Sequence, residues 1–321
     1  MNGISIIIPT CGEIKPLVRL IQSITKQTLD KPFEVVIVFN SISQTKFLLK
    51  KPQINFGTSA ELQFIWIDAK GVNKARNAGI EKAKYNLLLF LDDDCELVNS
   101  NALQAHLNYH VAKPDLFCLG GIYNLPPRAS FFDRVYNLIQ IRWLYGSLKA
   151  AHSQAANFLI GGHFSAKKEI LKKFEIYFNP AIIYGGSELE FFLAAQKNSL
   201  SCELSDLVVT HYTHENIWSL TRKLNRQGRG QAVAEQNFPV ETAQLQAQLG
   251  ETFTASLIMK AALIYFNYVF WYGYFSQNQR RSQFIVLLAR NLLDSVRYRH
   301  FKLIQKLEAE IRIKNDQGDR L

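Results

Sequence analysis

Cysteine is scarce in this chain. The 321 residues carry four, at positions 11, 95, 118 and 202, with no CxxC pair among them, which excludes the usual zinc and thioredoxin-like motifs. They read as small buried thiols in a reducing compartment. A secretory leader is not expected either: Met-Asn-Gly runs straight into Ile4-Ser5-Ile6-Ile7-Ile8-Pro9, with no basic residues ahead of it and no room for an apolar leader core. The segment is expected to be a first strand, and the chain to stay in the cytoplasm. No internal repeat or low-complexity tract is present. An uninterrupted membrane-length apolar run is lacking too, because Ser256 to Phe275 contains Lys260, Asn267 and several tyrosine and tryptophan residues, a poor hydrocarbon-core span that suits an interface better.

What is present is enough apolar material, 48% of the residues, to bury a sizeable core as one domain plus an appendage. The composition shifts after Phe238-Pro239, so 1–238 and 239–321 are the expected units, the first divided at about 123/124. The net charge of +10 is unevenly placed, with eleven Lys/Arg against five Asp/Glu in residues 254–321. A basic surplus can serve nucleic acid, anionic lipid or a phosphorylated ligand. Arg280, Arg281, Arg290, Arg297, Arg299, Lys302 and Lys306 follow the aromatic run. The region therefore reads as helices lying peripherally on the cytoplasmic leaflet, or as a helical subdomain packed on the rest of the chain or on a second copy in a homo-oligomer.

From the start to about residue 123, apolar runs alternate with helical periods, the pattern of an α/β fold with a parallel sheet and crossover helices. Strands are expected at Ile4–Ile8, Phe33–Phe39, Leu62–Ile67, Leu87–Leu91, Leu116–Tyr123 and, later, Leu204–Thr210. Helices are expected around Leu17–Ile24, Val72–Lys84, Phe131–Leu148, Glu188–Lys197 and Ile217–Gln227. In open α/β sheets ligands bind outside the carboxyl ends of the strands, so the loops starting at Pro9, Asn40, Asp68 and Asp92 should converge on one crevice.

The strongest local signal is Leu87-Leu88-Leu89-Phe90-Leu91-Asp92-Asp93-Asp94, a strand ending in three consecutive carboxylates. Such crowding either raises pKa values or recruits a cation, and Mg²⁺ or Mn²⁺ prefers one or two carboxylates plus phosphate oxygens. The plainer alternative is a solvated acidic turn. Upstream, Gly71-Val72-Asn73-Lys74-Ala75-Arg76-Asn77-Ala78-Gly79 opens a helix whose N-terminus can face an anionic ligand, and Arg76 would suit a diphosphate or the sheet-end carboxylates. Downstream, the Gly161-Gly162-His163 run suggests a close backbone approach.

Taken in order with Ile6-Ile7-Ile8-Pro9-Thr10 and Gly185-Gly186-Ser187-Glu188-Leu189-Glu190, these motifs resemble family 2 glycosyltransferases from residue 4 to about 232. The resemblance implies a GT-A fold, a Rossmann-like and mostly parallel sheet flanked by helices, here with a C-terminal helical appendage. It implies a nucleotide-sugar donor held by Pro9, Thr10, Glu13, Asn40, Asp68, Arg76, Asn77, Asp92 and Asp93. A Mn²⁺ or Mg²⁺ ion would sit on Asp94 with Asp92. His211, in His211-Tyr212-Thr213-His214, could complete the metal site or be a hydrogen-bonded core residue. Arg226 and Arg229 would close over the diphosphate or form a solvated basic face.

Where the family carries a Glu-Asp pair whose aspartate is the general base, this chain has Ser187-Glu188, so the base role passes to Glu188, with Glu190 as substitute. Gly161, Gly162, His163 and Glu190 are placed on the acceptor side. The family's base-reading aspartate after the second strand is replaced by Val38-Phe39-Asn40-Ser41; Asn40 could read the base, or an aromatic stacking contact could take over. UDP is favoured by family. The expected reaction is inverting transfer to a saccharide or lipid-linked acceptor in surface polysaccharide or glycolipid synthesis. A nucleotidyltransferase would need a glycine-rich basic loop where Thr10-Cys11-Gly12-Glu13 stands, and a non-catalytic basic module would have no use for the aspartates; nucleic acid is not an expected partner.

Overall fold

The computed structural model describes residues 2–40, 60–148, 154–182, 186, 188–239, 257–277 and 285. Ile4–Thr10 (β1), Phe33–Phe39 (β2), Ala60–Trp66 (β3) and Leu87–Leu91 (β4) pair in parallel in the order β3-β2-β1-β4. Parallel neighbours need crossovers, and Ile14–Thr25 (α1) and Val72–Lys82 (α2) supply two of them. Every residue of β1, β2 and β4 is buried, as a sheet covered on both faces requires.

Beyond β4 the sheet becomes mixed. Cys95–Leu97 (β5), Leu116–Asn124 (β6), His163–Lys167 (β7) and Ser201–His211 (β8) complete an eight-stranded order β3-β2-β1-β4-β7-β6-β8-β5. β7 enters between β4 and β6, antiparallel to both; β6 and β8 run parallel, and β5 pairs antiparallel with β8. The alternation to residue 123 predicts a continuing parallel sheet, yet the edge of β4 is taken by a strand from later in the chain. Neither β5 nor β7 has a sequence signature: the first is three residues long, and the second, His-Phe-Ser-Ala-Lys, has no apolar run.

The remaining helices among the described residues are Ala102–Ala112 (α3), Phe131–Gly146 (α4), Lys168–Lys173 (α5), Leu189–Lys197 (α6), Ile217–Asn237 (α7) and Leu257–Gln277 (α8). Helices α4 and α7 open side by side. Ser130 caps α4 in a reciprocal box with Asp133, and the same Asp133 accepts from Thr213 Oγ1 at 2.8 Å and Glu215 N at 2.6 Å, just before α7.

Two compact units are distinguished, Met1–Tyr274 and Phe275–Leu321. Helix α8 lies beyond the composition shift at Phe238-Pro239 and nevertheless packs within the first unit, where Phe266 joins Val135, Tyr136, Leu220 and Leu224 in one apolar cluster. Its backbone touches α7 directly. A Cβ added to Gly228 would run into the backbone of Phe270 and Tyr274, and one on Gly273 into that of Asn225. No helix among the described residues is long and apolar enough to cross a membrane. A further apolar run in the sequence, Phe284–Leu293, and the basic residues from Arg280 to Lys306 lie outside the described residues, Ile285 apart.

Gly228→Ala tests this helix contact by its sign. In an open helix the change stabilises by about 1 kcal/mol. Against the α8 backbone it should instead cost about 1–3 kcal/mol in urea unfolding, and a stabilised variant would show that the two backbones do not meet.

Candidate active site

The strand ends deliver Pro9, Thr10 and Glu13 after β1, Asn40 after β2, Asp92 to Asp94 after β4 and His211 at the end of β8 to one open crevice of about 670 Å³. That volume lies in the range of small-molecule sites. Arg76 reaches it from α2, Gly161 and Gly162 from the turn before β7, Glu188 from the start of α6 and Arg226 from α7.

Because β4 is wholly buried, the chain leaves the core only at Asp92, and three carboxylates are held together at the rim. Each has a different partner. Asp92 pairs with Arg76 Nη2 at 2.9 Å; Arg76 is 2% exposed, so its charge is committed to this contact more firmly than a surface ion pair would be. Asp93 accepts a hydrogen bond from Thr10 Oγ1 at 2.5 Å, while burial first, and then the charge of Asp94, push its pKa up to about 8. Asp94 lies 3.3 Å from His211 Nε2. Burial opposes its anion, but the charges of His211 and Lys223 hold its carboxyl below the usual range. Its Oδ1 is shut off from solvent and has no aligned hydrogen-bond donor.

That acceptor, which faces the His211 Nε2 at 3.3 Å without an aligned hydrogen bond, is where a cation would fit. Ligand atoms of Asp94, Cys95 and His211 lie within 4.8 Å of one another. Cys95 is a poor member of the set, because burial and the three aspartates raise its thiol pKa well above normal, and a protonated thiol does not serve a hard ion. Asp94 and the His211 imidazole remain of that set, and Asp92, outside it and paired with Arg76, lines the same crevice; with phosphate oxygens completing the shell, these are the groups that could hold Mn²⁺ or Mg²⁺.

The glycine pair shapes the floor. A side chain on Gly162 would overlap the Asp92 carboxylate and the Tyr123 hydroxyl, and one on Gly161 would press on the Glu188 side chain at 3.0 Å. The two glycines thus let Asp92 and Glu188 approach the same stretch of backbone. Glu188 is the N-cap residue of α6.

Five residues expected at the site do not line the crevice. Asp68 is exposed beyond β3. Asn77 is spent on the backbone of Phe178, donating to its carbonyl at 2.8 Å and accepting from its N–H at 3.0 Å. Glu190 accepts from Asn179 Nδ2 at 2.8 Å and Asn237 Nδ2 at 3.0 Å; two residues along a helix is a turn of about 200° from Glu188, so it anchors α6 instead of facing the ligand. Arg229 is exposed, about 240° around α7 from Lys223, which faces the crevice. His163 is buried with His106 and His110 around Ser165. Phe39, offered for base stacking, is fully buried against Trp66 at 5.1 Å because its side chain points into the sheet's packing. Ser187 and Gly185 lie outside the described residues.

Other lining residues were not singled out in the sequence. Lys223 is paired with Glu215 and sits 4.5 Å from the centre of the Tyr136 ring. Burial would discharge it, but Tyr136 and Glu215 keep its pKa raised. Its spacing from Arg226 and Gln227 was the available signal, since the three share one helix face. Tyr123, whose ring lies 4.1 Å from that of His211, gave no such signal.

The chain matches the sequence model of glycosyl transferase family 2 over residues 5–174, more than half its length, and it belongs to that family. The family is one of glycosyl transferases. No curated protein sequence matches it. Among solved structures it is similar to S. aureus TarS 1-349, at 18% identity and a TM-score of 0.53, covering 84% of this chain and 80% of that one; it spans 42% of the longer TarS chain. The mannosyltransferase PcManGT from Pyrobaculum calidifontis, in complex with GDP-Man and Mn²⁺, is similar at 14% identity and a TM-score of 0.54, covering 91% of this chain and 87% of that one. These likenesses establish a GT-A fold, mixed in strand direction and flanked by helices.

The histidine cluster behind the crevice carries a pH signature. Burial lowers the pKa of His163 and His110 to about 4, and that of His106 well below normal. With folded values beneath the ordinary value of about 6.5, their contribution is complete above pH ~6.5 and is lost as pH falls toward about 4. Chemical denaturation across that window should show stability declining with acid, and less steeply in His110→Gln. An unchanged slope in that variant would contradict a neutral buried His110.

Proposed function

We propose that this chain is a metal-dependent, inverting glycosyltransferase with Glu188 as general base. The observation that carries the proposal is the placement of Glu188, at a helix N-terminus, in the same crevice as Asp92, Asp93 and Asp94. A carboxylate in that position faces the space in which an acceptor hydroxyl would be activated, and general-base action is the role it would take. Glu188 takes the proton of the acceptor hydroxyl, and the freed oxygen attacks the anomeric carbon on the side opposite the departing nucleoside diphosphate.

The leaving group needs its charge offset. A divalent ion held by Asp94, Asp92 and His211 supplies Lewis-acid neutralisation there when bound. Arg226 adds positive charge at the mouth and Lys223 deeper in, fixed electrostatic help of the kind that dominates such reactions. Arg76 acts through Asp92, holding that carboxylate in place. Asn40, 2% exposed and accepting from Cys11 Sγ at 3.3 Å, stands where the nucleobase is read.

Complexes of S. aureus TarS 1-349 with UDP and with UDP-GlcNAc, and of PcManGT with GDP-Man and Mn²⁺, support a nucleotide-sugar donor and a divalent ion; UDP is the first donor nucleotide to test. The family resemblance favours surface polysaccharide or glycolipid synthesis, with a saccharide or lipid-linked acceptor. Ile258, Ile264 and Tyr272 are exposed on α8, which supports seating that helix against a membrane surface or a second copy, in a cytoplasmic enzyme.

Glu188→Gln should lose about 10²–10⁴-fold in transfer rate while UDP or GDP with Mn²⁺ still raises its melting temperature as in the wild type. Wild-type turnover in the variant would remove Glu188 from the mechanism. In Asp94→Asn the stabilisation by nucleotide should lose its dependence on Mn²⁺; a full manganese-dependent shift would place the ion elsewhere.

A further inference from the structure

A smaller recess, about 70 Å³, opens off the crevice between α4, α6, α7 and α8. Glu188 lines both spaces, together with Gln140, Ile160, Gly186 and Gln227. The recess has a different chemistry from the anionic rim: its wall is apolar, made by Ile139, Trp143, Phe158, Leu189 and Phe270, with Trp143 and Phe270 ring to ring at 5.5 Å. Into this wall three glutamine side chains are set. Gln227 is oriented by donating to Tyr136 Oη at 3.1 Å. Gln231 is only 2% exposed, and its Nε2 has no acceptor.

A buried amide donor without an acceptor is costly, and nothing apolar can answer it. The ligand that fits must offer an apolar face to the rings and an oxygen to Gln231. Its size is bounded as well. Where one water needs about 10–15 Å³, 70 Å³ admits about five water-sized groups, enough for one edge of a six-membered sugar ring whose remaining hydroxyls lie in the adjoining crevice, and not for a long isoprenoid chain, which also brings no oxygen to Gln231.

We propose that this recess is the acceptor subsite and that it takes a pyranose ring. The C–H face of the sugar lies on Trp143 against Phe270, a ring hydroxyl or ether oxygen accepts from Gln231, and the hydroxyl to be glycosylated projects past the mouth to Glu188. This inference rests on the reading of Glu188 as base, and it goes further by naming the acceptor class and the residues that select it. It also gives α8 a part in recognition, since that helix brings Phe270 to the wall and is held to α7 at Gly228 and Gly273.

Saturation-transfer NMR with methyl β-D-glucopyranoside, methyl β-D-galactopyranoside and methyl N-acetyl-β-D-glucosaminide tests the assignment on the full chain, without any need to know the donor. At least one glycoside should bind the wild type through its ring C–H protons. Binding should weaken about tenfold or more in Trp143→Leu and in Gln231→Met, the latter close to the original in volume and so least disturbing to the fold. Nucleotide-induced thermal shifts with Mn²⁺ should stay at the wild-type value in both. The proposal is overturned if no glycoside binds the wild type, if both variants bind as the wild type does, or if farnesyl phosphate binds in a Trp143-dependent manner and the glycosides do not. Loss of the nucleotide shift in the wild type, with glycoside binding intact, would instead sink the donor-site reading and leave the recess standing.

Discussion

Asp92, Asp93 and Asp94 leave the buried end of β4 together, and the repulsion among their carboxylates is the constraint around which the rim is organised. Three groups from three distant segments answer it one by one: Arg76 from α2, Thr10 from β1 and His211 from β8. Their convergence is itself a product of the sheet. The parallel pairing of β1 with β4 brings Thr10 alongside, and the Cys95–His211 register of β5 with β8, with Tyr212 N donating to Asp94 O at 3.0 Å, fixes His211 beside Asp94. What the protein's own groups answer least well is Asp94 Oδ1, which is shut off from solvent and has the His211 Nε2 at 3.3 Å without an aligned hydrogen bond, and the catalytic account is built outward from that atom.

The start of α6 is tied to α2 by amide side chains as well as by the aromatic packing of Phe178 against Phe191. Asn73 and Asn77, one turn apart on α2, hold the backbone at Asn179 and Phe178. Asn179 in turn holds Glu190 of α6, which is also held by Asn237 of α7. The start of α6, and with it Glu188, is thereby referenced to the same helix that presents Arg76 to Asp92. Small displacements of a base relative to the reacting centre are expensive in rate, and a relay of partly buried hydrogen bonds helps to prevent them.

Much of the N-terminal part of the sheet was legible because its signals are local. Continuous apolar runs mark β1, β2 and β4, and the family's motifs fall at their ends, so Thr10, Asn40, Arg76 and Asp92 to Asp94 meet in one crevice. Long-range pairing was not legible: β7 carries no run of its own, and its insertion beside β4 is decided by what the rest of the sheet leaves open. Helix phase decided which charged residues face the site. Arg226 and Lys223 share a face that Arg229 does not, and Glu190 points away from Glu188; a motif read as a string does not carry that angle. The Trp143–Gln231 recess was invisible in sequence for the same reason, since its walls come from four helices whose packing depends on glycines that look unremarkable in a linear reading.

The central claim is that the aspartate rim is a cation site and not a solvated acidic turn. Anomalous diffraction at the manganese edge, from a crystal grown with Mn²⁺ and UDP, addresses it directly. The account predicts a peak bonded to the Asp94 carboxylate and to diphosphate oxygens. A rim with no peak, and with Asp92 and Asp94 both turned into bulk water, would contradict it.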